Sequence, residues 1–117
     1  PELHKLTPYL GVLQSQGHKV ALLTDGRMSG ASGKVLAAIQ VSPEACGDGL
    51  IGKIRDDDMV EIDATNGSVS VSAADDIAAR APASREDLSG ASGMGRELFS
   101  VFRDNVSAAE AGGTIFR

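Results

Sequence analysis

Tryptophan is absent and aromatic residues make up only 3% of the 117 positions. Leu, Ile, Val and Ala must therefore fill whatever core the chain builds. Basic residues are in deficit: 11 Lys and Arg stand against 16 Asp and Glu, a formal net charge of −5, with no Lys/Arg cluster. That balance argues against nucleic acid or an anionic membrane as a partner. No apolar run approaches the ~20 residues that cross a bilayer, and no signal-peptide pattern opens the chain. Cys46 is the single cysteine, which excludes a disulfide framework and is the usage expected of the reducing cytoplasm. One thiolate also cannot hold an iron–sulfur cluster, which is usually bound by several. Any cluster serving this chain must take its ligands from elsewhere.

What is present fits one domain with one modest core. Pro1 stands where an initiator Met would, as expected for a cut from a longer protein or for a trimmed Met. Leu3, Leu6, Leu10 and Leu13 recur at helical steps, so residues 2–16 read as an amphipathic helix, weakened by Pro8 and Gly11 and closed by Gly17. Lys19–Leu23 (KVALL) has the continuous apolar character of a strand covered on both faces, and Ala37–Val41 reads as a second strand. Gly47, Gly49 and Gly52 mark irregular turns.

Met59–Asp63 and Ser68–Ser72 flank Asn66-Gly67, a two-residue hairpin signal expected to form a type I′ turn. Asp56-Asp57-Asp58 reads as the turn entering that hairpin; as a metal site it would need ligands from elsewhere. Ala73–Arg80 reads as a short helix capped by Ser72, with Asp75 and Asp76 at its positive end. Residues 82–95 read as a polar loop. Arg96–Val106 reads as the clearest amphipathic helix, with Leu98, Phe99, Val101, Phe102 and Val106 on its buried side. The element order predicts an α/β domain with a small mixed sheet and an antiparallel hairpin annex.

Thr24–Lys34 (TDGRMSGASGK) follows the first strand and carries three glycines. It matches neither nucleotide fingerprint. A Walker loop fails at Met28 and Val35, and Gly26, Gly30 and Gly33 are spaced G-x-x-x-G-x-x-G rather than G-x-G-x-x-G. Asp25, Arg27, Ser29, Ser32 and Lys34 remain, crowded at the carboxyl end of a strand, where open α/β sheets place ligands. The residues alone leave two readings open: a ligand loop, or a polar surface turn whose Asp and Ser side chains bond local backbone.

The segment ALLTDGRMSGASGK (21–34) resembles the C-terminal signature of the dihydroxyacid and phosphogluconate dehydratase family, T-D-G-R-[FM]-S-G followed by a small glycine-bearing turn. PELHKL at the start, VSPEA (41–45), GLIGKIRDDDMVEID (49–63), GRELFSVFR (95–103) and the AGG near the end resemble its phosphogluconate branch in the same order. The resemblance spans essentially the whole chain and implies a swivelling β/β/α domain, the C-terminal part of a larger dehydratase whose N-terminal part binds the cluster.

The family turns 2,3-dihydroxy acids into 2-keto acids with loss of water; in this branch the substrate is the sugar-acid phosphate 6-phosphogluconate. The resemblance implies a 4Fe-4S cluster with ligands outside this chain and a divalent metal, magnesium being the expected ion. It implies that Ser29 is the proton-abstracting base and that Glu2 is the metal-binding glutamate. Gly30 and the small residues after it would let backbone approach substrate closely. Ser32, Arg27 and Lys34 are substrate-binding candidates, the two cations as partners for a carboxylate or phosphate. A homo-oligomer and contacts to the missing N-terminal domain are further expectations. The alternatives are a non-catalytic small-ligand or phosphate-binding module, or an oligomerisation domain whose loop closes over another subunit's site.

Overall fold

Three-residue strands dominate the first half of the chain, and they meet in parallel. The computed structural model describes residues 3, 5–28 and 33–116. Helix α1 spans Thr7–Ser15 with Pro8 at its first turn, where a missing N–H costs nothing. Proline therefore starts this helix rather than breaking it, and Gly11 sits inside it without interruption. Gly17, at φ 94°, ends it, as a left-handed C-terminal glycine does. Strand β1 (Ala21–Leu23) pairs in parallel with β2 (Leu36–Ala38), Leu22 opposite Ala37. The pairing continues past the strands, because Thr24 N–H donates to Ala38 O at 3.0 Å and Val41 N–H to Thr24 O at 3.2 Å.

Two short 3-10 turns, Ala45–Gly47 and Leu50–Lys53, occupy the glycine-marked region. Gly49, between them, is required by space rather than by φ. A β-carbon there would lie 1.9 Å from Pro43 O. Strands β3 (Val60–Asp63) and β4 (Ser68–Val71) form an antiparallel hairpin with Asp63 opposite Ser68. Its loop holds residues 64–67, as the strand bounds read from the sequence leave it, but it is not the expected type I′ turn with positive φ at both Asn66 and Gly67. Asp63 is the reason: its carboxylate accepts from Thr65 N–H (2.9 Å), Asn66 N–H (3.0 Å) and Asn66 Nδ2 (2.6 Å). These bonds favour a wider Asx-type turn and hold the Asp63 carboxyl below its ordinary pKa, Asn66 contributing most. Only Gly67 of the pair takes positive φ, at 67°.

Helix α2 (Ala74–Ala78) follows β4, with Ala73 at its N-cap in left-handed geometry and no side-chain cap. The expected Ser72 cap is thus displaced by one residue. Ile77 is the largest fully buried side chain among the described residues. Lys53 locks the second 3-10 turn to this helix: its Nζ donates to Ala78 O at 3.0 Å and pairs with Asp48 at 3.0 Å. A cation on the last carbonyls of a helix satisfies orphan acceptors. Asp57, at φ 72°, makes the turn expected of the three aspartates. Asp58 receives a bidentate Arg80 at 2.5 and 3.0 Å and the Arg55 N–H at 2.8 Å. The Arg80 guanidinium, foremost, lowers the Asp58 pKa, and the carboxylate raises that of Arg80.

The C-terminal quarter departs most from its sequence pattern. Residues 96–106 do not form one helix; α3 (Met94–Leu98) and α4 (Ser100–Asn105) meet at a break at Phe99, φ −100° and ψ 11°. Glu97 accepts from Gly93 N–H, closing the first turn of α3, and that contact lowers its pKa. The expected buried side is exposed: Leu98, Phe99, Val101, Phe102 and Val106 are each at least half accessible. Phe99 and Phe102 stack on each other, tilted 55° with centroids 6.0 Å apart. A periodic apolar face records a need for cover but does not supply the covering layer.

The architecture is α/β, with a small parallel sheet and a separate antiparallel hairpin. Among the described residues no helix is long and apolar enough to cross a membrane.

Candidate functional site

The chain leaves β1 at Thr24 and begins the motif TDGRM as a tethered stem. Gly26 N–H donates to the Thr24 hydroxyl at 2.9 Å, and Gln40 N–H donates to Gly26 O at 3.0 Å. A β-carbon at Gly26 would stand 3.3 Å from Thr24 Oγ1, a tight contact, and in ordinary contact with the Leu3 methyl at 3.6 Å. Asp25 reaches across to the first 3-10 turn, its carboxylate accepting from Ala45 N–H at 2.8 Å. The carboxylate of this motif is therefore occupied in anchoring the stem to residues 43–47. It is a positioning group.

The other attachments run to α1. Thr7 Oγ1 donates to the Met28 sulfur at 3.1 Å, at the start of that helix. Gln14 Nε2, two turns later, donates to Lys34 O at 2.7 Å. The Lys34 ammonium lies alongside Gly11, 4.0 Å from where a β-carbon would stand. Leu10, Leu22, Val35 and Ala37 line the small apolar space beneath, with Thr7, Met28 and Gly33. Both stems of the loop are thus fixed, one to the strand pair and one to the helix, at the carboxyl end of β1. Open α/β sheets bind ligands at such a place.

The structure places two of the sequence-derived site residues. Arg27 and Lys34 lie exposed on opposite stems of the loop, each with an interaction of its own. Ser29, Gly30, Ser32 and Glu2 lie outside the described residues. Thr7 and Gln14 had no part in the sequence argument, because their contacts are 21 and 20 positions distant. Asp58 is engaged by Arg80, and among the described residues no three His, Cys, Asp or Glu gather as a metal site. Cys46 is exposed and unpaired. A lone thiol cannot by itself hold an iron–sulfur cluster.

Comparison with known proteins gives the loop a context. Residues 1–113 match the family model for the dihydroxy-acid/6-phosphogluconate dehydratase C-terminal region. A phosphogluconate dehydratase of Rhizobium meliloti is 56% identical over 117 residues, covering 98% of this chain and 19% of that protein. One from Zymomonas mobilis is 56% identical over 113 residues (96% and 18%), and one from Escherichia coli K12 is 48% identical over 115 (97% and 19%). A dihydroxy-acid dehydratase of Lactococcus lactis is 45% identical over 80 residues. The chain spans about a fifth of the length of the phosphogluconate dehydratases it matches.

Proposed function

The chain belongs to the dihydroxy-acid/6-phosphogluconate dehydratase family, to its C-terminal region, and from that membership we propose that it is the base-bearing C-terminal domain of a cytoplasmic phosphogluconate dehydratase. The reaction is the dehydration of 6-phosphogluconate to 2-keto-3-deoxy-6-phosphogluconate. The observation that carries this reading is the agreement of two facts. Relatives named phosphogluconate dehydratase match nearly the full chain at 48–56% identity, and the glycine-bearing loop leaves the carboxyl end of β1 on two anchored stems.

Dehydration removes the proton on the carbon beside the carboxylate and expels the hydroxyl of the next carbon. The carbon–hydrogen electron pair becomes the new carbon–carbon double bond, the hydroxyl leaves with a proton as water, and the enol tautomerises to the 2-keto acid. The carbon acid is weak, so the step needs a base held against it. Ser29 is that base in this reading. Its sequence neighbours Gly30 and Ser32 are the substrate-binding candidates beside it. Arg27 and Lys34, on the flanking stems, supply positive charge for the carboxylate or phosphate of the substrate.

Hydroxide is a poor leaving group, and a 4Fe-4S cluster would supply the Lewis acid for it. Its ligands lie in the rest of the polypeptide. A divalent ion, magnesium by expectation, belongs with Glu2, and no step is assigned through it. Asp25 holds the loop stem in place through Ala45.

The test is turnover by the full-length protein. It should convert 6-phosphogluconate to a 2-keto acid, detected as its semicarbazone, faster than it converts a branched 2,3-dihydroxy acid. A preference for the unphosphorylated dihydroxy acid would move the protein to the other branch of the family, and turnover of neither would defeat the reading.

A further inference from the structure

A compact folded monomer of this mass, 12.0 kDa, exposes about 6,000 Å². This chain exposes 8,800 Å². Its radius of gyration is 16.4 Å, against about 13.4 Å for a compact domain of the same length. The excess surface, about 2,800 Å², is not evenly polar. Met94, Leu98, Phe99, Val101, Phe102 and Val106 fall within thirteen consecutive residues and are 50–85% exposed. Single exposed apolar residues need no explanation, but a continuous cluster marks an interface. α3 and α4 follow one another through Phe99, and these side chains are left open.

We propose that the apolar side of the α3–α4 pair is the seat on which the preceding polypeptide of the same protein packs. Length supports this occupant: the matched region is C-terminal in the family, and it accounts for 19% of the R. meliloti relative. Area supports it as well. A two-fold contact of standard size between copies removes about 800 Å² from each partner, less than a third of the excess here. Exposed apolar residues also stand on α1 (Tyr9, Val12) and at the hairpin (Met59, Val69). Cover spread over that many elements is what a larger domain wrapping this one provides. The covering surface is accordingly apolar. The inference rests on the longer polypeptide of the proposed function and not on its chemistry.

The experiment uses the full-length protein with the photo-crosslinking residue benzoylphenylalanine in place of Phe102, and separately of Phe99. After irradiation, the expected product keeps the mass of one chain in denaturing electrophoresis. Peptide mapping should join position 102 or 99 to sequence preceding residue 1. A product of twice the chain mass would assign the face to a second copy and overturn the proposal, as would no cross-link from either position. Hydroxyl-radical footprinting of the unsubstituted full-length protein keeps the test open should the substituted chains misfold. Phe99 and Phe102 should oxidise several-fold more slowly than in the urea-unfolded protein, and equal rates would refute burial. Neither readout depends on turnover, so loss of the dehydratase reading and loss of this one are separable.

Discussion

Replacing Gly49 by Ala puts opposing effects in competition at a single atom. Gly49 has φ −59° and ψ 148°, a conformation alanine adopts without strain, so the backbone term favours the substitution. Restricting the unfolded chain should stabilise by about 0.4–1 kcal/mol. Space opposes it. The added methyl would stand 1.9 Å from Pro43 O, 2.6 Å from Pro43 C and 2.8 Å from Glu44 O. A carbon and a carbonyl oxygen approach to about 3.3 Å, so a movement of about 1.4 Å is needed.

No rotamer change can provide that movement, because all three of these neighbours are backbone atoms. It would also pull on the Gly49 N–H bond to Glu44 O and on the Gly52 N–H bond to Gly49 O, each 3.0 Å. Overpacking costs roughly 1–3 kcal/mol and more where backbone must shift. The net expectation is a loss of about 2 kcal/mol or more, or roughly 8 °C in Tm for a domain near this size. The assay is urea unfolding of the 117-residue chain followed by circular dichroism, with Gly47→Ala beside it. Nothing lies within 4 Å of a β-carbon at Gly47, so that control should be neutral or slightly stabilising. If Gly49→Ala unfolds at the wild-type midpoint, the close approach of residues 43–44 and 49 is wrong.

Three further outcomes follow from the same structure. Ile77→Ala should cost about 2–5 kcal/mol, because the fully buried Ile77 anchors α2; a denaturant midpoint within error of wild type would show that the helix is not packed. Gly67→Val should destabilise by about 1 kcal/mol or more, since a β-branched residue is strained at φ 67°. Asn66→Val should cost less than Gly67→Val, because only Gly67 of the pair takes positive φ; equal losses would restore a two-residue type I′ turn. Asp58 titrates lower in the fold than in the unfolded chain, so its contribution is complete above the ordinary aspartate pKa. It is lost as pH falls below about 4. Asp58→Asn should therefore lower the unfolding midpoint at pH 7, and the gap from wild type should close as the pH drops; a gap that stays constant to pH 2 would disprove the Asp58–Arg80 pair as its cause.

Local chemistry was legible wherever it was complete within a few residues. KVALL gave β1, Asp56–Asp58 gave a turn, and the alternation around Asn66-Gly67 gave a hairpin. The turn type was misread because Asp63, outside the dipeptide, decides it through three bonds. Helix capping at Ser72 failed because Ala73 takes the left-handed geometry instead. The pairing of Asp58 with Arg80 and the burial of Lys53 depend on groups 22 and 25 positions away, which no spacing rule reaches.

Residues 96–106 carried a true apolar pattern, but its face is open within this chain, since the pattern specifies a face and not its partner. At the site, the glycine-bearing loop and its place after β1 were readable from composition and position. Asp25, grouped with the polar residues of a ligand loop, instead secures the stem through the Ala45 N–H. The anchoring by Thr7 and Gln14 was invisible because it joins α1 to the loop in three dimensions only.

The central claim is that Ser29 removes the substrate proton, and turnover by full-length Ser29→Ala tests it most directly. A missing general base costs about 10²- to 10⁴-fold, and so weak a carbon acid places the loss at the upper end. In that variant kcat should fall by about 10³-fold or more at saturating 6-phosphogluconate, while substrate binding and the visible absorbance of the cluster stay near wild type. Retention of more than about a tenth of wild-type kcat would contradict the assignment and leave the loop as a binding lid.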